Sequence, residues 1–166
     1  DIFTVAENFG RLNGIKLAYF GDGNNMAHSL MLAGAKTGME IFICSPDGYK
    51  PNPEITAAAQ KFGNVTVTDS VEEAAKNANV LYTDVFFSMG QDKDKAKEKA
   101  LMPYQVNADV LALADKDAVF MHCLPAHRGE EVTADVIDST RSIIFEQAEN
   151  RLHVQKAVMC LLMGKK

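Results

Sequence analysis

The sequence predicts a single doubly wound α/β domain: a mostly parallel, Rossmann-like sheet of about five strands with helices on both faces. Short apolar runs alternate along the chain with segments of helical periodicity. These runs are apolar at nearly every position, as in strands that are covered on both faces. The length of 166 residues suffices for one domain with its own core. We expect the strand order 3-2-1-4-5.

Five strands are predicted from short apolar runs that end at turn residues. The first is interrupted only by Lys16 and the second only by Glu40. The third is a β-branched run, Val-Thr-Val-Thr, which favours extended backbone. In chain order the predicted strands are 15–20, 39–44, 65–68, 80–85 and 118–121, and a further short extended run is predicted over 142–145.

The helices are predicted from apolar spacing and from capping residues. Met26, Leu30 and Ala33 fall on one face of the second helix, and Gly38 ends it. The segment 91–100 is charged on nearly every side, so we interpret it as a solvated, mobile helix or lid. In chain order the predicted helices are 4–12, 26–37, 53–62, a short one from a cap at 69 or 70 to 76, then 91–100, 107–114 and 147–163.

Composition excludes several classes of partner. The net charge of −5 provides no broad basic field for nucleic acid or an acidic membrane, and no apolar run approaches the roughly 18 residues of a membrane helix. The three cysteines are odd in number and unpaired in spacing, which argues against a disulfide framework or structural zinc and favours the cytoplasm. Cys44 and Cys160 are predicted to be core residues. The start at Asp1 without methionine suggests a processed chain or a fragment.

Three unusual polar loops follow strands one, four and five. They read GDGNN (21–25), TDVFFSMG (83–90) and HCLPAHRG (122–129). In doubly wound folds ligands bind outside the carboxyl ends of the strands, where the strand order reverses, and the expected order puts that point between strands one and four. The sequence therefore predicts that these loops form one cleft.

Each loop allows more than one interpretation. Gly21-x-Gly23 is half of a nucleotide fingerprint, but Met26 stands at its third position, so the signal for a nicotinamide cofactor is weak. Asp84 is either an ordinary strand-end acid or a carboxylate that holds a substrate ammonium.

The last helix adds a fourth candidate. Arg151, Val154, Val158 and Leu161 are spaced 3, 4 and 3 apart, which predicts an inward stripe that includes Arg151. An inward arginine needs a partner, either a structural carboxylate such as Glu146 or Asp84, or an oxygen of a ligand.

Four segments resemble the ornithine carbamoyltransferases of the transcarbamylase family. SMG and HCLP together are specific, because the aspartate carbamoyltransferases resemble this fold but lack that pair. The resemblance covers nearly the whole chain but only the second half of the family's polypeptide, since the Ser-Thr-Arg-Thr and His-Pro-x-Gln motifs of the carbamoyl-phosphate half are absent. The four segments are GDGNNMAHS, TDVFFSMGQ, HCLPAHRGEEV and FEQAENRLHVQKAVM.

The resemblance implies a transferase that joins carbamoyl phosphate to L-ornithine, giving citrulline and phosphate, without metal or organic cofactor. It implies catalytic roles for Asp84, Cys123 and Arg151, and assigns no role to His122, His127 or Arg128. Arg151 would reach the carbamoyl oxygen. The residues implied to hold substrate are Asn25, Asp84, Ser88, Met89, Cys123, Leu124 and Arg151.

The resemblance also predicts the organisation of the chain. We expect one ornithine-binding domain over 1–166, whose helices at 1–13 and 146–166 pack toward a missing carbamoyl-phosphate domain. The isolated chain is expected to be inactive, and the full-length enzyme to be a homotrimer or a multiple of it that serves arginine biosynthesis or the urea cycle. The alternatives are a stand-alone amino-acid-binding module, or a carbamoyltransferase that acts on putrescine or an acylated ornithine.

Overall fold

A five-stranded, all-parallel sheet forms the centre of the molecule, in the order β3-β2-β1-β4-β5. The computed structural model describes residues 1–87, 90 and 94–164. The predicted fold class and strand order are both confirmed, and the point where the order reverses lies between β1 and β4. The strands are β1 Lys16–Phe20, β2 Glu40–Cys44, β3 Val65–Thr68, β4 Val80–Thr83 and β5 Val119–His122.

Eight helices connect these strands within the described part of the chain. Five of them begin at a polar residue whose side chain accepts hydrogen bonds from the first turn, namely Asn24, Asn52, Ser70, Asp94 and Asn107. The helices are α1 Ile2–Phe9, α2 Asn25–Lys36, α3 Pro53–Gln60, α4 Val71–Ala75, α5 Lys95–Leu101, α6 Ala108–Leu113, α7 Ala134–Ile137 and α8 Ile144–Met163, and a 3-10 turn covers Met102–Tyr104.

Two apolar cores cover the two faces of the sheet, because successive strand residues point to opposite sides. Tyr19 and Tyr82 belong to the core that α1, α2 and α3 complete. Phe20, Leu81 and Phe120 belong to the core that α4, α6 and α7 complete. Because helices cover both faces, the strands are apolar at nearly every position, and that is the pattern from which the class was predicted.

Two predictions near the end of the sheet need correction. The extended run predicted over 142–145 is not a strand: Ser142 forms one isolated parallel bridge with Phe120, and α8 already begins at Ile144. The short helix α7 was not predicted. In the part of the chain that the structure describes, no helix has both the length and the apolar character needed to cross a membrane.

The long helix α8 packs on the domain only through its first two turns. Its buried residues are Ile144, Gln147 and Asn150. The predicted inward stripe is therefore wrong, because Arg151 is exposed and Leu161 is 82% exposed. From residue 151 onward every described residue of the helix is exposed. Cys160, predicted to be a core residue, is exposed for the same reason, whereas Cys44 is buried as predicted.

The loops after β1 and β2 pack tightly against each other at Gly23. Its N–H donates to the carbonyl of Tyr49 at 2.7 Å. A Cβ added to Gly23 would lie 2.2 Å from the backbone nitrogen of Pro51. Since the obstacle is backbone, a side-chain rotation cannot relieve it, and position 23 requires glycine for reasons of space.

We predict that Gly23→Ala lowers the free energy of unfolding by roughly 3 kcal/mol, because the two loops must separate. Chemical denaturation of the wild-type chain and the variant measures this. Gly48→Ala is the matched control. Gly48 has φ +84°, and a Cβ added there would have no neighbouring atom within 4 Å, so only backbone strain of about 1–2 kcal/mol is expected. An equal loss in the two variants would contradict the prediction.

Candidate functional site

The loops that follow β1, β4 and β5 meet at the carboxylate of Asp84. This side chain is 8% exposed. Its Oδ2 accepts a hydrogen bond from the Asn24 amide at 2.9 Å, and its Oδ1 accepts from the Val85 N–H at 2.8 Å and from the Cys123 thiol at 3.0 Å. The predicted convergence of the three loops is thus present as direct contacts at the reversal point of the sheet.

Asn24 has two functions at once. Its side-chain oxygen caps α2 by accepting from the Met26 N–H at 2.8 Å, while its amide nitrogen donates to Asp84. The buried Tyr19 hydroxyl fixes the same loop by donating to the carbonyl of Asp22 at 2.9 Å. Asn24 was not predicted as a site residue, although an asparagine directly before a helix is a strong capping signal.

Cys123 is protonated at neutral pH. Burial, and then the hydrogen bond to the Asp84 carboxylate, raise the pKa of its thiol from 9.0 to about 12. Burial also raises the pKa of the neighbouring Tyr82 hydroxyl. A thiol of this kind is a hydrogen-bond donor and a poor nucleophile. It contributes stability that is fully present below about pH 9 and is lost as the pH rises toward 12.

Gln147 of α8 links the ends of β4 and β5, which lead into the site loops, with the first residue of the chain. Its Oε1 accepts from the His122 N–H at 2.9 Å, and its Nε2 donates to the Tyr82 hydroxyl at 2.9 Å and to Asp1 Oδ1 at 2.7 Å. The side chain is 1% exposed, and its bonds to His122 and Tyr82 form away from water. No sequence pattern predicts this role, because the partners lie 25 or more residues away.

The loop after β5 is braced by two buried side chains. His122 and Glu131 are both fully buried. The His122 Nδ1 accepts from the Leu124 N–H at 2.8 Å, and Glu131 Oε1 accepts from the His127 N–H at 2.5 Å. Leu124 has φ +56° and precedes a cis peptide bond to Pro125.

Arg128, in the same loop, lies at the surface. Its guanidinium donates to both carboxylate oxygens of Asp138, at 3.0 and 2.6 Å, and both side chains are exposed. The pair therefore anchors the outer side of the loop and does not reach the Asp84 carboxylate.

Helix α5 contacts the loop after β1 through Lys97. Its ammonium lies 2.6 Å from Asp22 Oδ2, and it faces the rings of Tyr49 and Phe87 at 5.8 and 5.7 Å. The side chain is 13% exposed, so this end of the predicted solvated helix packs against the domain. Asp22 is consequently neutralised by Lys97.

Of the other predicted site residues, Asn25 and Leu124 are described and differ in exposure. Asn25 is the first residue of α2, and its side chain is exposed. Leu124 is half-buried beside Cys123. Ser88 and Met89 lie outside the described residues.

Arg151 is exposed on α8, where its charge, together with burial as the larger cause, lowers the pKa of the Asp1 amino group. Neither of the structural partners considered for it is present: among residues 1–87, 90 and 94–164, no carboxylate forms an ion pair with Arg151.

Two features of the site bear on cofactor or metal binding. The backbone of Lys50 and Pro51 fills the space over Gly23, where a nucleotide fingerprint needs open backbone for a pyrophosphate. His127, Glu130 and Glu131 offer three ligand atoms within 4.8 Å of one another. Glu131 is already bonded to the loop backbone, so we assign this cluster a structural role.

Comparisons with known proteins agree on one family. The family profile described as "Aspartate/ornithine carbamoyltransferase, Asp/Orn binding domain" matches residues 13–162. The chain is 51% identical to an ornithine carbamoyltransferase of Thermococcus kodakarensis and 52% identical to one of Oceanobacillus iheyensis. In each case the match covers 99% of this chain and, respectively, 54% and 53% of the relative, so the chain spans about half the length of these relatives.

A solved structure agrees in fold. The crystal structure of ornithine carbamoyltransferase from Gloeobacter violaceus matches with a TM-score of 0.91 and 47% identity, over 99% of this chain and 56% of that one. At this level of identity the likeness extends to sequence as well as to topology.

We predict that Asp84→Asn lowers the pKa of the Cys123 thiol, since the variant removes the negative charge that opposes the thiolate. The rate of alkylation by iodoacetamide, followed between pH 8 and pH 11 by peptide mass spectrometry, measures this. The exposed Cys160 in the same chain is the internal control. Equal pH profiles for Cys123 and Cys160 in the wild-type chain, or a slower Cys123 in the variant, would contradict the assignment.

Proposed function

The chain belongs to the aspartate/ornithine carbamoyltransferase family, and from this we propose that it is the ornithine-binding half of an enzyme that transfers a carbamoyl group. The donor would be carbamoyl phosphate and the acceptor the side-chain amine of L-ornithine, giving citrulline and phosphate. The family includes aspartate and ornithine acceptors, so the choice between them rests on the charge of the site.

The observation that carries the proposal is the unneutralised carboxylate of Asp84. Its three donors are an amide, a backbone N–H and a thiol, all uncharged. Among the residues that the structure describes, no lysine, arginine or histidine forms an ion pair with it. A buried carboxylate without a cation favours a cationic ligand, because an ammonium replaces the lost hydration with a charge-assisted hydrogen bond. This favours ornithine over the anionic aspartate.

The binding roles of the remaining residues are also proposals. Asn25, beside Asn24 at the start of α2, has an exposed side chain and would offer an amide to the amino-acid end of the substrate. Ser88 and Met89 follow Asp84 in the same loop and would complete that subsite. Leu124 would line the position of the carbamoyl amide.

The chemistry needs a free amine on the substrate. The nitrogen lone pair attacks the carbonyl carbon of carbamoyl phosphate, the bond from that carbon to the phosphate oxygen breaks, and phosphate leaves. The side-chain ammonium must first lose a proton to become the attacking amine, and the Asp84 carboxylate is the adjacent acceptor. Cys123, protonated and bonded to Asp84, lines the amine pocket and does not attack. Arg151 would stabilise the charge that develops on the carbonyl oxygen.

The domain organisation follows from the same premise. We propose that residues 1–166 form one ornithine-binding domain, and that the helices at 1–13 and 146–166 pack toward the carbamoyl-phosphate half. Eight large apolar side chains of α8 are exposed here, which supports burial in the complete enzyme. They are Phe145, Leu152, Val154, Val158, Met159, Leu161, Leu162 and Met163. The complete enzyme would be a homotrimer or a multiple of it.

Two further parts of the proposal concern the cellular compartment and the activity of the isolated chain. The three cysteines are free, which fits the reducing cytoplasm. Because the chain contains neither carbamoyl-phosphate motif, it should bind ornithine but not make citrulline by itself. The following measurement separates the alternative of a carbamoyltransferase that acts on putrescine or an acylated ornithine. An upstream coding segment with the carbamoyl-phosphate motifs would separate the enzyme half from a stand-alone binding module.

We predict that this chain binds L-ornithine, and that Asp84→Asn weakens the binding by about 2–5 kcal/mol, because the variant removes the charge partner of the bound ammonium. Isothermal calorimetry with L-ornithine, putrescine, an acylated ornithine and NAD in parallel measures this. Asp109→Asn, an exposed acid on α6, is the matched control and should leave binding unchanged.

The ligand series decides among the alternative ligands. Stronger binding of putrescine or of the acylated ornithine would replace ornithine as the substrate, and binding of NAD alone would replace the whole proposal. If ornithine binds the wild-type chain and the Asp84→Asn variant equally, Asp84 is a structural acid.

For Arg151 we predict that substitution by Met in the complete enzyme lowers kcat/KM by roughly 2–4 kcal/mol of transition-state stabilisation, as for the loss of one oxyanion donor. The domain itself should keep its stability within about 0.5 kcal/mol, because Arg151 is exposed and unpaired among the described residues. Steady-state kinetics and chemical denaturation measure the two quantities. Lys116→Met, which removes an exposed cation outside the helices proposed to face the other half, serves as control. Unchanged kinetics in Arg151→Met would remove Arg151 from the site.

A further inference from the structure

Glu131 is a fully buried carboxylate that the proposed reaction does not use. Its Oε1 accepts the His127 N–H at 2.5 Å and lies 3.3 Å from the His122 Nε2. Its Oε2 lies 3.8 Å from the His127 Nδ1 and has no hydrogen-bond partner among the described residues. Burying a carboxylate is unfavourable unless nearby groups compensate its charge, so the contacts that Glu131 does make need an explanation.

The hydrogen bonds of His122 determine its tautomer. Its Nδ1 accepts from the Leu124 N–H at 2.8 Å, so Nδ1 carries no proton in this arrangement and the proton of the ring is on Nε2. That Nε2–H faces Glu131 at a distance typical of an ion pair, without the alignment of a hydrogen bond, and has no other partner among the described residues. A negative carboxylate beside Nε2 favours the tautomer with its proton on Nε2. The other tautomer, with its proton on Nδ1, would lose the hydrogen bond from the Leu124 N–H.

The two contacts hold the same loop at two points. The His122 ring accepts the backbone N–H of Leu124, and the Glu131 carboxylate accepts the backbone N–H of His127. Cys123 and Leu124, which line the site, lie at the beginning of this segment. Leu124 has φ +56°, a conformation that a leucine rarely adopts without support from its surroundings.

We propose that Glu131 is a positioning residue of the ornithine site, which fixes the loop 123–127 directly through the His127 N–H and indirectly through the His122 ring. The role as part of an ornithine site rests on the proposed function. The geometry is analogous to a second layer of side chains that fixes the orientation of ligand-contacting groups. Glu131 itself does not touch the substrate.

The three cysteines of the chain provide a direct test. Cys44 is buried in β2 and reports global opening, Cys123 reports the loop, and the exposed Cys160 reports the intrinsic reactivity of a thiol. In Glu131→Gln we expect the alkylation of Cys123 by iodoacetamide at a fixed pH to become about tenfold faster, because local opening exposes it. The rates of Cys44 and Cys160 should not change.

Three further variants sharpen the test. Asp138→Asn makes the same carboxylate-to-amide change at the other acid that holds this loop, through Arg128 at the surface, and should leave Cys123 unchanged. His122→Asn keeps an acceptor at the position of Nδ1 and should retain the protection of Cys123. His122→Gln places its amide near the position of Nε2 instead, loses the Leu124 bond, and should expose Cys123.

The outcomes are distinct. If Cys44 accelerates together with Cys123, Glu131 supports the whole fold and the positioning role is wrong. If Glu131→Gln does not fold, the two His122 variants decide, and equal Cys123 rates in them overturn the proposal. Unchanged Cys123 alkylation in a folded Glu131→Gln variant also overturns it.

Calorimetry with L-ornithine separates this inference from the proposed function. We expect Glu131→Gln to weaken the binding of L-ornithine by about tenfold, since the loop must be reordered on binding. If the wild-type chain binds no ornithine, the proposed function fails, while the alkylation rates still decide whether Glu131 fixes the loop. If ornithine binds both chains equally, Glu131 does not position the ornithine site.

Discussion

The carboxylate of Asp84 is the constraint on which the arrangement of the site depends. A buried carboxylate must receive hydrogen bonds that replace its hydration, and the donors of Asp84 come from three separate loops. Asn24 follows β1, Val85 follows β4 and Cys123 follows β5. If one of these loops moves, the carboxylate loses a donor in a position that water reaches poorly. The positions of the loops are therefore coupled through one side chain.

The convergence of these loops was predictable from the sequence because it depends only on strand order. Once β1, β4 and β5 are neighbours in a parallel sheet, their carboxyl ends lie at one edge, whatever the loops contain. The individual contacts were not predictable in the same way. Asn24 and Asn25 are adjacent in sequence, but Asn24 turns its amide to Asp84 while the side chain of Asn25 is exposed. One step along a helix turns a side chain by about 100°, and no sequence pattern fixes the starting angle.

The prediction of an inward stripe that includes Arg151 was wrong because no other element of this chain covers that part of α8. Apolar periodicity predicts which face of a helix is buried only where another element lies against that face. The first turns of α8 do face the domain, but there the buried residues include the polar Gln147 and Asn150. They are buried because backbone and side-chain groups of distant segments need partners, such as the His122 N–H and the Thr4 hydroxyl. The apolar residues beyond 151 have no element of this chain to contact.

The two buried carboxylates near the site impose different kinds of constraint. Glu131 takes its donor from the loop after β5 and fixes that loop internally. Asp84 takes its donors from different loops and fixes them relative to one another. Hydrogen bonds from uncharged donors are weaker than those from an ammonium.

In the proposed complex, the substrate ammonium, as the stronger donor, would replace the thiol or the amide at Asp84 and relax the coupling between the loops. The hydrogen bonds of Glu131 involve no group that the ligand replaces, so the loop that carries Cys123 keeps its shape during that exchange.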